Sequence, residues 1–127
     1  MDKPVVALAI GDPAGISPEL TARLVALDEA RAAARIVVVG DRRVLEEGMK
    51  IAKVTTPEVE FHDLKNLDPA TIRRGMASKE GGASALANYR QALRMVAEGK
   101  AQAVCFTPFN KQAMRMADPS YDDEIRF

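Results

Sequence analysis

The sequence predicts an α/β fold: a mostly parallel sheet flanked by helices. Three observations predict it. Apolar runs such as "VVALAI" and "RIVVVG" are continuous, not alternating, as expected of strands covered on both faces. Stretches of helical spacing separate those runs, so that strand and helix alternate four times. Most runs end in glycine, proline or an acid, the residues that turn a chain over a short distance. At 127 residues and 47% apolar content, the chain is long enough for one hydrophobic core.

Residues 5–10 read as the first buried strand, and residues 11–15, "GDPAG", as its turn. Ser17 is placed to cap a helix, with Pro18 at its first position and Glu19 in its first turn. Leu20, Leu24 and Leu27 recur at helical spacing and are expected to face the sheet, before the helix frays near "DEARAAA". Residues 35–41 form a second buried strand ending in Gly40-Asp41. "RRVLEEGMK" is a short helix that closes at Gly48 or runs a little beyond it. In "EVEFHDL", Val59 and Phe61 fall on one side of a strand, with Glu60 and His62 on the other. A loop with Pro69 follows. "GMASKEGGAS" reads as flexible, and Lys79, Gly81 and Gly82 as either a flap or a plain loop. It feeds a helix over residues 84–98 whose stripe is Leu86, Tyr89, Leu93 and Val96, with Gly99 as its C-terminal stop. "AQAVCFT" is another buried strand, ended by Pro108, and "NKQAMRMA" a short helix. The closing "DDEIRF" reads as the opening of a further helix. The chain is therefore expected to be an incomplete amino-terminal portion of a longer protein.

Composition excludes several functions. With 18 basic and 18 acidic residues the formal charge is zero, so no basic excess draws nucleic acid or an anionic membrane. No run approaches the ~20 apolar residues that span a bilayer. The single cysteine, Cys105, sits in an apolar run and is expected to be a small buried thiol, consistent with a reducing cytoplasmic setting. His62 is the only histidine. Its neighbour Asp63 points to the opposite strand face, so the two make neither a triad nor a metal site, and a surface position is expected. Arg73 and Arg74 read as surface charges. Asp122, Asp123 and Glu124 read as a solvated helix start rather than as a cation site.

Two loops carry the candidate chemistry. "GDPAG" is neither the dinucleotide fingerprint nor a Walker loop. Gly11 and Gly15 would let backbone amides approach a ligand, and Ser17 at a helix start would favour an anion. Asp12 opposes a phosphate, and suits a sugar-like hydroxyl, an amine or a backbone amide. The same pattern also describes a rigid turn in which Asp12 bonds locally. In "TPFNKQA", Thr107 and Pro108 end a strand while Asn110 and Lys111 open a helix. Asn110 offers a donor and an acceptor, and Lys111 a mobile positive charge for phosphate or carboxylate. The plain alternative makes Asn110 a helix cap and Lys111 a solvated lysine. In a parallel sheet both loops would lie at the carboxyl ends of the strands, where such folds hold ligands.

"ALAIGDPAGISPEL" and "CFTPFNKQAM", with "VVVGD" and "GMASKEGGASALANYRQAL" in order between them, resemble the amino-terminal part of the 4-hydroxythreonine-4-phosphate dehydrogenase family. Gly11 to Ile16 match the family's first loop. Thr107, Pro108, Asn110 and Lys111 match its second, where Phe109 replaces a usual leucine. The resemblance implies an isocitrate/isopropylmalate-dehydrogenase-like fold of two α/β domains, a homodimer, and a cleft lined by Gly11, Asp12, Gly15, Thr107, Asn110, Lys111 and Glu124. It implies NAD and a divalent cation (Mg, Mn, Zn or Co) as cofactors of the complete protein, neither tightly held by these residues. It implies oxidation, with or without decarboxylation, of a phosphorylated hydroxy acid such as 4-phosphooxy-threonine or a related sugar acid phosphate. Common members carry "PGHTE" where this chain has "YDDEIRF", with Glu124 and Ile125 near those places. That departure points to a divergent subgroup acting on another hydroxy acid. The metal-binding histidines and cofactor-contacting segments belong to the family's later portion, so residues 1–127 alone are expected to be inactive. The alternative is a non-catalytic small-anion-binding or subunit-association domain using the same rim.

Overall fold

Among the described residues, four strands form a wholly parallel sheet in the order β3-β2-β1-β4. They are β1 (Val5–Ala9), β2 (Arg35–Gly40), β3 (Glu60–Asp63) and β4 (Ala103–Phe106). The computed structural model describes residues 3–55 and 59–123. Its helices are α1 (Ser17–Ala26), α2 (Asp28–Ala33), α3 (Arg42–Ala52), α4 (Lys79–Ala97) and α5 (Lys111–Ala117), with a 3-10 turn at Pro69–Thr71.

The period of two along β1 divides the core. Leu8 and Ile10, with Val38 of β2, meet Ala22 and Val25 of α1 and Val44 and Leu45 of α3. Ala7 and Ala9, with Val39, face Ala92 and Met95 of α4. Alanines on this second face let α4 lie close to the sheet. Complete burial of a side chain such as Leu8 or Ile10 contributes ~1.5–3 kcal/mol. A third cluster joins α4 to α5 through Ala85, Leu86, Met114 and Tyr121. There Gly82 approaches so near that a Cβ would stand 1.9 Å from the Ala113 carbonyl oxygen.

The alternation of elements, the parallel sheet and the pairing of Val59 with Phe61 on one side of β3 match the sequence expectation. Gly99 takes the left-handed conformation (φ +76) that ends α4, as its position suggested. Met114 is buried and His62 exposed.

Several expectations need correction. α1 does not turn Leu20 and Leu27 to the sheet: they are 38% and 53% exposed, while Pro18, Thr21, Ala22 and Val25 form the buried face and Leu24 is half-buried. Small residues occupy that face because α1 and α3 approach closely; a Cβ on Gly48 would lie 2.0 Å from the Pro18 carbonyl oxygen. Ser17 is the first helical residue and makes no cap; its hydroxyl is turned to the second loop instead. "DEARAAA" does not fray but forms α2. α3 runs a little beyond Gly48, to Ala52, which is one of the two ends expected for it.

α4 begins at Lys79, not near residue 84. Ser78 caps it by accepting from the Gly81 N–H at 3.0 Å, so Gly81 and Gly82 lie in its first turn and form neither flap nor loop. Its stripe is buried at Leu86 and Tyr89, half-buried at Leu93 and exposed at Val96. Among the described residues β4 is an edge strand, so Cys105 is exposed rather than buried. Asp122 and Asp123 lie outside any helix, and Glu124 lies outside the described residues.

Candidate functional site

Because β1 and β4 are adjacent and parallel, the loops leaving their carboxyl ends meet. The Gly11 N–H donates to the Thr107 hydroxyl at 2.9 Å, and the Asp12 N–H to the Pro108 carbonyl oxygen at 2.9 Å. α1 closes the junction from the side. Its Ser17 hydroxyl donates to the same Pro108 oxygen at 2.6 Å, and its Thr21 hydroxyl donates to that of Thr107 at 3.2 Å. Gly11 is required by space: a Cβ there would lie 2.2 Å from the Thr107 carbonyl oxygen and 2.3 Å from that of Pro108. "GDPAG" and "TPFNK" are therefore one continuous wall.

Within it the candidate residues divide by accessibility. Gly11 and Thr107 are buried, and the Thr107 hydroxyl accepts from both Gly11 and Thr21; these two residues build the wall. Asp12 is 8% exposed and makes the local bond, its Oδ1 accepting from the Ala14 N–H at 3.1 Å. The Gly15 N–H in turn donates to the Asp12 carbonyl at 3.2 Å. The carboxylate stands beside the first turn of α4, where a Cβ on Gly81 would lie 3.5 Å from Oδ1. Unpaired N–H groups at a helix start favour negative charge there. Asn110 is the cap of α5: its Oδ1 accepts from the Ala113 N–H at 3.1 Å. Lys111 is exposed on the rim. Gly15 is half-buried beside Asp12.

A buried amide relay supports the wall. Asn88, 2% exposed in the middle of α4, donates through Nδ2 to the Ile10 carbonyl at 2.9 Å, one residue before Gly11. Its Oδ1 accepts from Asn66 Nδ2 at 2.9 Å, and Asn66 Oδ1 accepts from the Ser84 hydroxyl at 3.2 Å. Sequence reasoning missed these residues. The available signal was a carboxamide at a buried helical position, where an unpaired polar group is costly.

Asp41, at the end of β2, plays the matching part for the neighbouring loop. It accepts from the Arg43 and Leu67 N–H groups at 2.9 Å each, and from the Arg43 side chain at 2.9 and 3.0 Å. Burial pushes its carboxyl up, but the Arg43 guanidinium and the two amides outweigh burial and hold it below the ordinary carboxylate value.

A cavity of 630 Å³ lies at the opposite, amino end of the sheet, lined by Lys3, Arg31, Arg35 and Glu60 among others. Its cations are already engaged: Lys3 with the Arg31 carbonyl, Arg31 with Asp28, and Arg35 with Glu60. Volume alone does not make it the site. Among the described residues no three His, Cys, Asp or Glu side chains converge to hold a metal ion, so no residue here is assigned to the cation. No described helix is long and apolar enough to cross a membrane.

Comparison with known proteins gives a consistent result. The family model "Pyridoxal phosphate biosynthetic protein PdxA" matches residues 32–127. "Putative 4-hydroxythreonine-4-phosphate dehydrogenase 2" of Rhizobium meliloti is 55% identical over 98% of this chain and 40% of its own length. "Putative 4-hydroxythreonine-4-phosphate dehydrogenase" of Pasteurella multocida is 39% identical over the whole chain and 43% of its own length. The crystal structure of a 4-hydroxythreonine-4-phosphate dehydrogenase from Burkholderia phymatum superposes with a TM-score of 0.88 at 23% identity, over 98% of this chain and 42% of that one. At that identity the superposition speaks for the fold. The chain thus spans about two fifths of the length of the relatives it matches. It belongs to the PdxA family of pyridoxal phosphate biosynthetic proteins.

Proposed function

We propose that this chain supplies one wall of the substrate cleft of an NAD- and divalent-metal-dependent dehydrogenase acting on a phosphorylated hydroxy acid. The observation that carries the reading is the bonded junction of the "GDPAG" and "TPFNK" loops, with Lys111 exposed beside it. Lys111 meets the phosphate or carboxylate of the substrate as a mobile charge. Asn110, with its oxygen committed to the cap, offers its N–H₂ group. Gly11, Asp12 and Thr107 hold these groups in register. Positioning of this kind is a large share of what an enzyme contributes to rate.

When bound, NAD would supply the hydride acceptor and the divalent cation would supply polarisation of the substrate hydroxyl. Their holders belong to the part of a family-length protein outside residues 1–127, in a two-domain, homodimeric, cytoplasmic enzyme of the isocitrate/isopropylmalate-dehydrogenase type. By this reading residues 1–127 alone do not turn over.

The test is a family-length protein carrying these residues, assayed for NAD reduction with 4-hydroxythreonine 4-phosphate and with phosphorylated four-carbon sugar acids. Turnover with one of them, abolished by a chelator and restored by a divalent cation, supports the reading. No turnover with any of them overturns it. It leaves the second reading, small-anion binding by the rim alone, for which the exposed Lys111 speaks and which calorimetry of this chain with inorganic phosphate tests.

A further inference from the structure

Asp12 and Asp41 are the buried acids among the described residues, and their surroundings differ. Asp41 fills both carboxylate oxygens with two backbone amides and the Arg43 guanidinium. Asp12 is 8% exposed and accepts one hydrogen bond, from the Ala14 N–H to Oδ1. The start of α4 lies against Oδ1 and eases burial of the charge. Among the described residues nothing bonds Oδ2, no cation pairs with the carboxylate, and Oδ2 is not closed off from solvent. A buried carboxylate with an idle oxygen and no cation is costly, and folded proteins rarely leave one without a use. Gly15 is what leaves Oδ2 open. Its φ is not positive, and the nearest neighbours of a Cβ there would be atoms of Asp12, Oδ2 first at 3.5 Å. Neither conformation nor space demands a glycine at 15. Its missing side chain keeps a methyl group from lying over Oδ2.

We propose that Asp12 Oδ2 is a ligand contact, which receives an O–H or N–H donor of the molecule held at this wall. An ionised carboxylate only accepts, so the group it meets is a hydroxyl or an ammonium. A phosphate or carboxylate in that place would be repelled. Lys111 has the opposite requirement. The Asp12 N–H is bonded to the Pro108 carbonyl, and Lys111 follows Pro108 by three residues. No more than about 11 Å of chain therefore runs from that bond to Lys111. The wall selects a small ligand with an anion at one end and a donor group at the other. The proposal rests on the reading of this wall as a substrate site and adds specificity to it. Oδ1 keeps the turn, and Oδ2 reads the part of the substrate that carries no negative charge.

Calorimetry of residues 1–127 with three probes tests it. 4-Hydroxythreonine 4-phosphate carries an ammonium and a hydroxyl, a phosphorylated four-carbon sugar acid carries hydroxyls only, and inorganic phosphate is the anion without the rest. Asp12→Asn keeps an Oδ1 acceptor for Ala14 and puts a donor in place of Oδ2. It should weaken at least one organic probe about tenfold or more, and leave inorganic phosphate no weaker than in wild type. Gly15→Ala should weaken the same probe by covering the oxygen. Weakening of the sugar acid assigns the donor as a hydroxyl; weakening of 4-hydroxythreonine 4-phosphate alone assigns it as the ammonium. Unchanged affinity for both organic probes in Asp12→Asn overturns the proposal, while phosphate binding that persists shows the wall itself to stand. Equal weakening of all three probes makes Asp12 a scaffold of the turn, and overturns it too. So does binding of phosphate alone by the wild type. Failure of the wild type to bind any probe removes the wall and the contact together.

Discussion

Replacing Gly11 by alanine tests the junction of the two loops at its tightest point. The added Cβ would stand 2.2 Å from one backbone oxygen and 2.3 Å from another. Neither is the end of a flexible side chain, so the Thr107-Pro108 backbone must retreat by about 1 Å, an overpacking strain of ~1–3 kcal/mol. That retreat breaks the Gly11–Thr107 and Asp12–Pro108 hydrogen bonds, both 2.9 Å. Leaving such buried groups unpaired costs about 1–3 kcal/mol each. The combined loss of ~3–9 kcal/mol is a large part of the ~5–15 kcal/mol that holds a domain together. Urea unfolding reads it as a lower midpoint at unchanged slope. Gly15→Ala is the control. Its nearest neighbour would be Asp12 Oδ2 at 3.5 Å, an ordinary contact, and its cost should stay within about 0.5 kcal/mol. If Gly11→Ala costs no more than Gly15→Ala, the two loops do not meet as described.

Asn88→Leu removes the donor to the Ile10 carbonyl and strands the Asn66 amide, and should lower stability by ~2–3 kcal/mol in the same urea experiment; a loss below about 0.5 kcal/mol would show the relay to be dispensable. Asp41→Ala removes the cap of α3 and should cost about 1–2 kcal/mol at neutral pH. Because the folded-state value of Asp41 lies below its ordinary one, its contribution is present above that ordinary value and is lost as pH falls toward the folded one. The gap between wild type and Asp41→Ala should therefore shrink below about pH 4, and a gap that widens with acid would contradict the direction of the shift. Lys111→Ala should leave the urea midpoint unchanged, since the side chain is exposed. In an active family-length protein it should raise KM at least about tenfold, the scale of one lost charge-assisted contact.

Much of the fold was legible because a parallel α/β chain writes its layers in order. Continuous apolar runs marked β1 and β2, and the turns between them carried the expected glycines and prolines. What the sequence obscured was which side of an element is covered. "AQAVCFT" has the composition of an interior strand, but β4 has a neighbour on one side only among the described residues, and this decides the exposure of Cys105. Leu20 and Leu27 satisfy helical periodicity, but the close approach of α1 to α3 at Gly48 selects Pro18, Thr21 and Ala22 for the inner face. Gly81-Gly82 looked like a break in the chain. It is a contact, because only a glycine at 82 lets the α5 backbone come so near. The two loops of the candidate site were identifiable from their motifs, and the parallel sheet placed them on one rim. The Asn66–Ser84–Asn88 relay was not, since Asn66 lies 18 and 22 residues from the two α4 residues it bonds and no motif joins them.

A titration of residues 1–127, labelled with nitrogen-15, with 4-hydroxythreonine 4-phosphate bears most directly on the claim that the two loops form one ligand wall. The largest amide shifts should fall together on Gly11 to Ser17 and on Asn110 and Lys111, and should weaken in Lys111→Ala. Shifts confined to Lys3, Arg31 and Arg35 at the amino end of the sheet, or to one loop without the other, would contradict it.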